Sequence, residues 1–134
     1  MWKELVGLSE KSLSALNERI SLKFPADDDK KVVMTSTKPN AFTLSGRIPS
    51  FSTIATYEIG PHSVVVACNI RNNGQIDYRT LTLYMDLDEE GNPCFSFQDH
   101  KIGLVVAAQF IIGLGLSSSL DVIVNQCLSQ ADRR

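Results

Sequence analysis

Residues 101–134, KIGLVVAAQFIIGLGLSSSLDVIVNQCLSQADRR, hold the longest apolar run of the chain, from Ile102 to Leu116. The fold turns on this run, because a membrane span, a core helix and an inner strand each need different surroundings. Its fifteen residues fall short of the roughly 20 that a helix needs to cross a bilayer, and they include Gln109 and three glycines, so no membrane anchor is expected. Gly103, Gly113 and Gly115 count against a helix, since an interior glycine costs about 1 kcal/mol relative to alanine. So do the β-branched Ile102, Val105, Val106, Ile111 and Ile112, which are stiff at χ1. A buried strand fits these residues better. The alternative is a helix capped by Asp99 and ending at Gly113 or Gly115, which periodicity does not exclude in an all-apolar segment.

Working outward, Ser117, Ser118 and Ser119 offer N-cap hydroxyls, and Ser118 with Asp121 three residues on forms an Asp-ended capping box. The spacing predicts a closing helix with Leu120, Val124, Cys127, Leu128 and Ala131 on one face. Asp121, Asn125, Gln126, Ser129 and Asp132 lie on the other, and Arg133 and Arg134 complement the helix dipole. At the other end, Leu5, Val6, Leu13, Leu16 and Ile20 mark a stripe from Trp2 to Leu22 and predict a second amphipathic helix. Gly7 weakens it, and Ser9 is an alternative N-cap. The sequence FPADDDKK (24–31) ends it, because Pro25 disfavours a helical Phe24 and three aspartates favour a solvated loop.

Between the helices, KVVMTSTK (31–38), AFTLSGRI (41–48), STIATYEI (52–59) and SVVVACNI (63–70) are rich in Val, Ile and Thr and are punctuated by Pro39-Asn40, Pro49 and Gly60-Pro61. NNGQ (72–75) is a turn signal before DYRTLTLYMDL (77–87), where Leu81, Leu83 and Met85 alternate with Thr80, Thr82 and Tyr84. DEEGNP then turns into CFSF (94–97). The predicted fold is α+β over residues 1–134 as a single domain. An antiparallel meander of about five to seven strands is flanked by an N-terminal and a C-terminal amphipathic helix.

Composition narrows the function classes. The 134 residues are 43% hydrophobic and 21% charged with net charge −2, and Lys and Arg are scattered, which is no electrostatic footprint for nucleic acid. Cys68, Cys94 and Cys127 have no CxxC or zinc-ligand spacing, so free buried thiols in a reducing compartment are expected. MWKELVGLSEKSLSALNERI carries charges in its first four residues and no continuous apolar core. It is not read as a signal peptide, and a cytoplasmic location is expected.

No catalytic group, cofactor or metal site emerges. Asp86, Asp88 and Glu90 followed by Gly91 imitate the first half of a calcium loop, but the twelfth position is Phe97 instead of a bidentate glutamate. His62 and His100 stand alone in turns, and no acyl-transfer motif surrounds Cys94 and His100. GLGLSSS lacks the lysine of a phosphate loop, so its glycines are read as the end of a strand before a serine cap. Trp2 and Phe51 are expected on exposed edges, without the basic residues that a single-strand binder interleaves with aromatics.

The C-terminal pattern NPCFSFQDHKIGLVVAAQFIIGLGLSSSLDVIVNQCLSQADRR (92–134) reads as a strand, a tight polar turn, a long apolar strand, serines and an amphipathic closing helix. It resembles the C-terminal third of the bacterial YbjN family and of the related type III secretion chaperones. The resemblance implies a small cytoplasmic α+β protein that is non-enzymatic, binds a polypeptide partner and forms a homodimer through a mid-chain helix. DYRTLTLYMDLDEE (77–90) departs from that pattern by reading as a strand. The expected binding surface is an apolar groove or sheet edge, with Leu13, Leu16 and Ile20 as candidate partner-binding residues. The alternative function is a small-molecule carrier or enzyme, with an apolar pocket enclosed by the curved sheet.

Overall fold

Alternating side chains and turn residues lay down seven consecutive antiparallel strands in the computed structural model, which describes residues 1–23, 31–47 and 50–131. They are β1 (Val33–Lys38), β2 (Ala41–Arg47), β3 (Ser50–Glu58), β4 (Ser63–Asn72), β5 (Gln75–Leu87), β6 (Pro93–Phe97) and β7 (His100–Ile102). Each pairs with its chain neighbour, so the sheet is an open meander in sequence order. The β4–β5 connection is Asn73-Gly74 with φ 52° and 80°, the left-handed pair of a type I′ turn whose twist matches the strands. Gln98 and Asp99 make the same kind of turn between β6 and β7 at φ 48° and 65°, without a glycine. The predicted α+β class and meander are what the structure contains. Most of the FPADDDKK loop, Ile48, Pro49, Asp132, Arg133 and Arg134 lie outside the described residues.

The apolar run is a helix, contrary to the strand expected for it. Ile102 ends β7, and Leu104–Gly113 forms α2. Its glycines explain the reversal by their positions: Gly103 is the N-cap, Gly113 the last helical residue and Gly115 lies beyond the end. None occupies the interior, so the expected penalty does not arise. The β-branched residues each cost at most about 0.7 kcal/mol. Burial outweighs this, because Ala107, Ala108, Phe110, Ile111 and Leu114 are fully inaccessible and a buried large apolar side chain contributes roughly 1.5–3 kcal/mol. Asp99 is not the cap; it sits in the β6–β7 turn. Leu114 N–H donates to Phe110 O at 3.0 Å and closes the last turn.

α3 (Leu120–Ala131) begins one residue later than the capping box implies: Ser119 Oγ, not Ser118, accepts the Val122 N–H at 3.2 Å. Ile123, Val124 and Cys127 are its buried residues, while Leu120 and Leu128 pack partly buried beside them. α1 (Trp2–Lys23) runs unbroken through Gly7 and Ser9, burying Leu5, Ser9 and Leu13 at i, i+4 spacing. Ser9 is therefore an interior residue and not a cap, and its Oγ has no hydrogen-bond partner.

Phe51 leaves the exposed edge expected for it, and Trp2 is half-buried at the edge of the sheet. Trp2 stacks on Phe42 and Tyr57, with centroids 5.6 and 5.9 Å away. Phe51 is buried against Gly115, where a Cβ would collide with its ring. Gly115→Ala is accordingly expected to lower stability by about 1–3 kcal/mol through overpacking. Gly7→Ala, which meets nothing within 4 Å in α1, should raise stability by roughly 0.5–1 kcal/mol. Urea unfolding of the two variants beside the parent checks both signs.

Candidate functional site

α1 is hydrogen-bonded to both ends of the edge strand β1. Trp2 Nε1 donates to Pro39 O at 3.0 Å just past the strand's end. Before its start, Asn17 clasps Val32, with Nδ2 donating to Val32 O at 2.8 Å and Val32 N–H donating to Oδ1 at 2.9 Å. Fifteen helical residues rise about 22 Å and seven extended residues about 23 Å, so the two elements are matched in length and run antiparallel. Asn17, which the helical pattern left unassigned to the core, thus satisfies the backbone at one end of an exposed strand.

Between the start of α1 and the β1–β2 hairpin lies an open groove of about 210 Å³ lined by Trp2, Lys3, Val6, Ser36, Pro39, Ala41 and Phe42. β1 ends the sheet, and among the described residues no backbone group pairs with its outer side. Val33, Thr35, Ser36 and Lys38 are exposed. The groove and the edge therefore adjoin, which is the arrangement that receives an extended chain: main-chain hydrogen bonds at the edge and alternate side chains in the groove. Of the residues expected to bind a partner, Leu13 is buried in the core, Leu16 packs partly buried against it and Ile20 is half-buried. The groove uses the opposite end of α1, where Trp2 and Val6 stand four residues apart; that spacing was the available signal.

The sheet's inner face carries Phe42, Leu44, Phe51, Ala55, Val64, Val66, Cys68, Leu81 and Leu83, all buried. Helical side chains fill it, with Phe110 of α2 meeting Phe97 edge-on at 5.1 Å. The mid-strand outward positions of β2–β5 carry no charge, while the outward positions at the strand ends include Arg47, Glu58, Arg71 and Asp86, four of the twenty in all. Charges lie at the two ends of these strands: Arg47 and Arg71 share one cross-strand row, and Glu58 and Asp86 lie at the opposite end.

Among the described residues, one charge enters the interior. Arg79 on β5 is 6% exposed and gathers the carbonyls that end α2 and link it to α3. Nη1 donates to Leu114 O at 2.9 Å and Ser117 O at 2.6 Å, Nη2 to Ser118 O at 3.0 Å, and Nε to Asp77 Oδ2 at 2.9 Å. The GLGLSSS segment is therefore organised around a cation at a helix C-terminus, where the dipole is negative.

The remaining reactive groups are accounted for locally. Asp88 Oδ1 accepts the N–H groups of Glu90 (2.9 Å) and Asn92 (2.8 Å), and Gly91 adopts φ 82°, so the acidic stretch is a self-contained turn. Among the described residues no group of three His, Cys, Asp or Glu is placed to hold a metal ion. Cys68, Cys94 and Cys127 are buried and in no disulfide. Burial raises the Cys127 thiol to about 11. Burial also pushes Cys68 up, further helped by Asp77, while Arg79 and Thr53 oppose it. The Thr53 hydroxyl faces Cys68 across β3–β4 at a geometry short of a full hydrogen bond. Such thiols stay protonated and unreactive near neutral pH. No described helix is long and apolar enough to cross a membrane.

Comparison with protein-family models, curated proteins and solved structures gives no match to this chain.

Proposed function

We propose that this protein is a non-enzymatic protein-binding module that holds an extended polypeptide along β1 with side chains seated in the α1–β1 groove. The observation that carries the reading is the adjacency of an unpaired edge strand and an apolar groove, with α1 fixed at both ends of that strand. The packed inner face of the sheet favours it over a small ligand enclosed by the sheet, since α2 occupies the space such a ligand would need. Three buried thiols outside any disulfide fit a reducing compartment such as the cytoplasm.

Ser36→Arg tests the reading, because Ser36 is exposed on β1 and lines the groove without belonging to the core. Parent and variant are immobilised and exposed to lysate of the native cell, and retained polypeptides are quantified by mass spectrometry. The expected result is a polypeptide held by the parent and depleted about tenfold by the variant, as a charge in an apolar groove costs at least 1.4 kcal/mol. Identical retained sets on both would contradict the reading.

A further inference from the structure

A second groove opens on the outer face of the sheet, where β3, β4 and β5 lie side by side. The register sets its lining in two adjacent cross-strand rows, with Ser50, Arg71 and Ile76 in one and Ser52, Asn69 and Tyr78 in the next. Neighbouring strands lie about 4.8 Å apart and the rows about 7 Å apart, so the six outward side chains border one open space. Its volume is about 310 Å³. The groove has a polar side and an apolar one. Ser50 and Ser52 on β3 present hydroxyls, whereas Ile76 and Tyr78 on β5 are 47% and 69% exposed, and such solvated apolar surface gains from being covered. Arg71 and Asn69 on β4 stand between the two sides.

Electrostatics and hydrogen bonding define what fits there. Among the described residues, Ser50, Ser52, Asn69, Arg71 and Tyr78 make no side-chain hydrogen bond or ion pair within the protein. Arg79 differs, because its guanidinium is engaged by three carbonyls and Asp77. No carboxylate lines the groove. Asp77 lies between Ile76 and Tyr78 in sequence but faces the other side of the sheet, where it pairs with Arg79 at 2.9 Å. The outward carboxylates Glu58 and Asp86 stand at the far end of the strands, Glu58 about 27 Å from Ser50 along β3. Arg47 pairs with Ser50 from the other side and extends the row that holds Arg71, so positive potential gathers at this end. A guanidinium presents paired donors that match the oxygens of a carboxylate or phosphate, and a tyrosine ring offers its face to a planar group. A cation would meet repulsion there. A neutral apolar molecule would desolvate Arg71 without giving it an acceptor.

We infer that this groove binds a small organic anion, whose carboxylate or phosphate is held by Arg71, Asn69 and the two serines while a planar apolar body lies against Ile76 and Tyr78.

An amide NMR titration of the isotope-labelled full chain tests it, with phenyl phosphate, benzoate, inorganic phosphate, acetate and benzyl alcohol as probes. At least one of the two aromatic anions is expected to saturate with Kd at or below about 1 mM and to shift the amides of residues 50–52, 69–71 and 76–78. The tighter of the two tells phosphate from carboxylate. Each aromatic anion that saturates should bind at least about fivefold more tightly than its bare counterpart. Arg71→Gln is expected to weaken binding at least about tenfold and to leave the unliganded spectrum otherwise unchanged, since this guanidinium contacts no partner in the fold. Arg47→Gln should cost no more than about threefold, because a charge two strand spacings away, about 10 Å, is screened at physiological salt. Tyr78→Ser should bring the aromatic anion to the affinity of the bare one. Failure of both aromatic anions to saturate by about 20 mM overturns the inference. So do equal losses at Arg71 and Arg47, which would reduce the site to diffuse positive charge, and benzyl alcohol binding as tightly as the anions. Bare anions that bind as tightly as the aromatic ones overturn the role given to Ile76 and Tyr78. None of these residues lines the α1–β1 groove, so the outcome is independent of the polypeptide-binding reading.

Discussion

Arg79→Met is expected to destabilise the protein by about 3–5 kcal/mol, the range found when one partner of a buried charged network is removed. Methionine preserves much of the apolar stem, so the loss falls on the polar end. The carbonyls of Leu114, Ser117 and Ser118 would lose charge-assisted donors at 2.6–3.0 Å. Hydrogen bonds to charged groups contribute about 1.5–3 kcal/mol each, and water reaching the Ser117 and Ser118 carbonyls recovers part of that. Arg79→Lys should recover little, because an ammonium on a flexible stem cannot reproduce the planar fork that serves three carbonyls and Asp77 together. Thermal and urea unfolding measure both losses. An Arg79→Met variant within about 0.5 kcal/mol of the parent would mean that the α2–α3 link holds its conformation without the guanidinium.

Phe110→Ala is expected to cost about 3–5 kcal/mol, as a fully buried aromatic in the middle of α2 with an edge-on partner in Phe97. Its companion Val105→Ala separates helix from strand. In the helix, Val105 is 53% exposed, so truncation removes little packing and replaces a β-branched residue with the best helix former. That change should lie between neutral and stabilising by about 0.5 kcal/mol. In an innermost strand Val105 would be buried and the same change would create a cavity. Comparable losses at Val105 and Phe110 would therefore contradict a helix over these residues.

Local signals and long-range contacts were unequally legible. The strand pattern from Val33 to Phe97 could be read because Val, Ile and Thr gather in runs closed by turn residues, with alternation clearest in β5; Asn73-Gly74 alone dictates the β4–β5 hairpin. The closing helix was legible from its serines and spacing, although Ile123 escaped the expected face and turned out to fill the space beside Gly113. The run from Ile102 to Leu116 was misread because glycine was counted by composition, whereas its effect depends on position within the helix. Arg79 gave no signal at all. Its acceptors lie 35 to 39 residues away and are backbone carbonyls, which no residue type advertises. The groove was missed for the same reason, since Trp2, Ser36 and Phe42 come together only once α1 lies along β1.

The edge-groove reading depends on α2 filling the inner face of the sheet, because a filled interior leaves no enclosed space there for a small ligand. The most direct test is backbone ¹³C chemical shifts of the isotope-labelled protein across Gly103–Leu116. Helical Cα and Cβ shifts from Leu104 to Gly113, with extended shifts confined to His100–Ile102, are the expected result. Extended shifts running through Val105 to Ile112 would place the run in the sheet and empty the inner face of the helix on which the edge-groove reading rests.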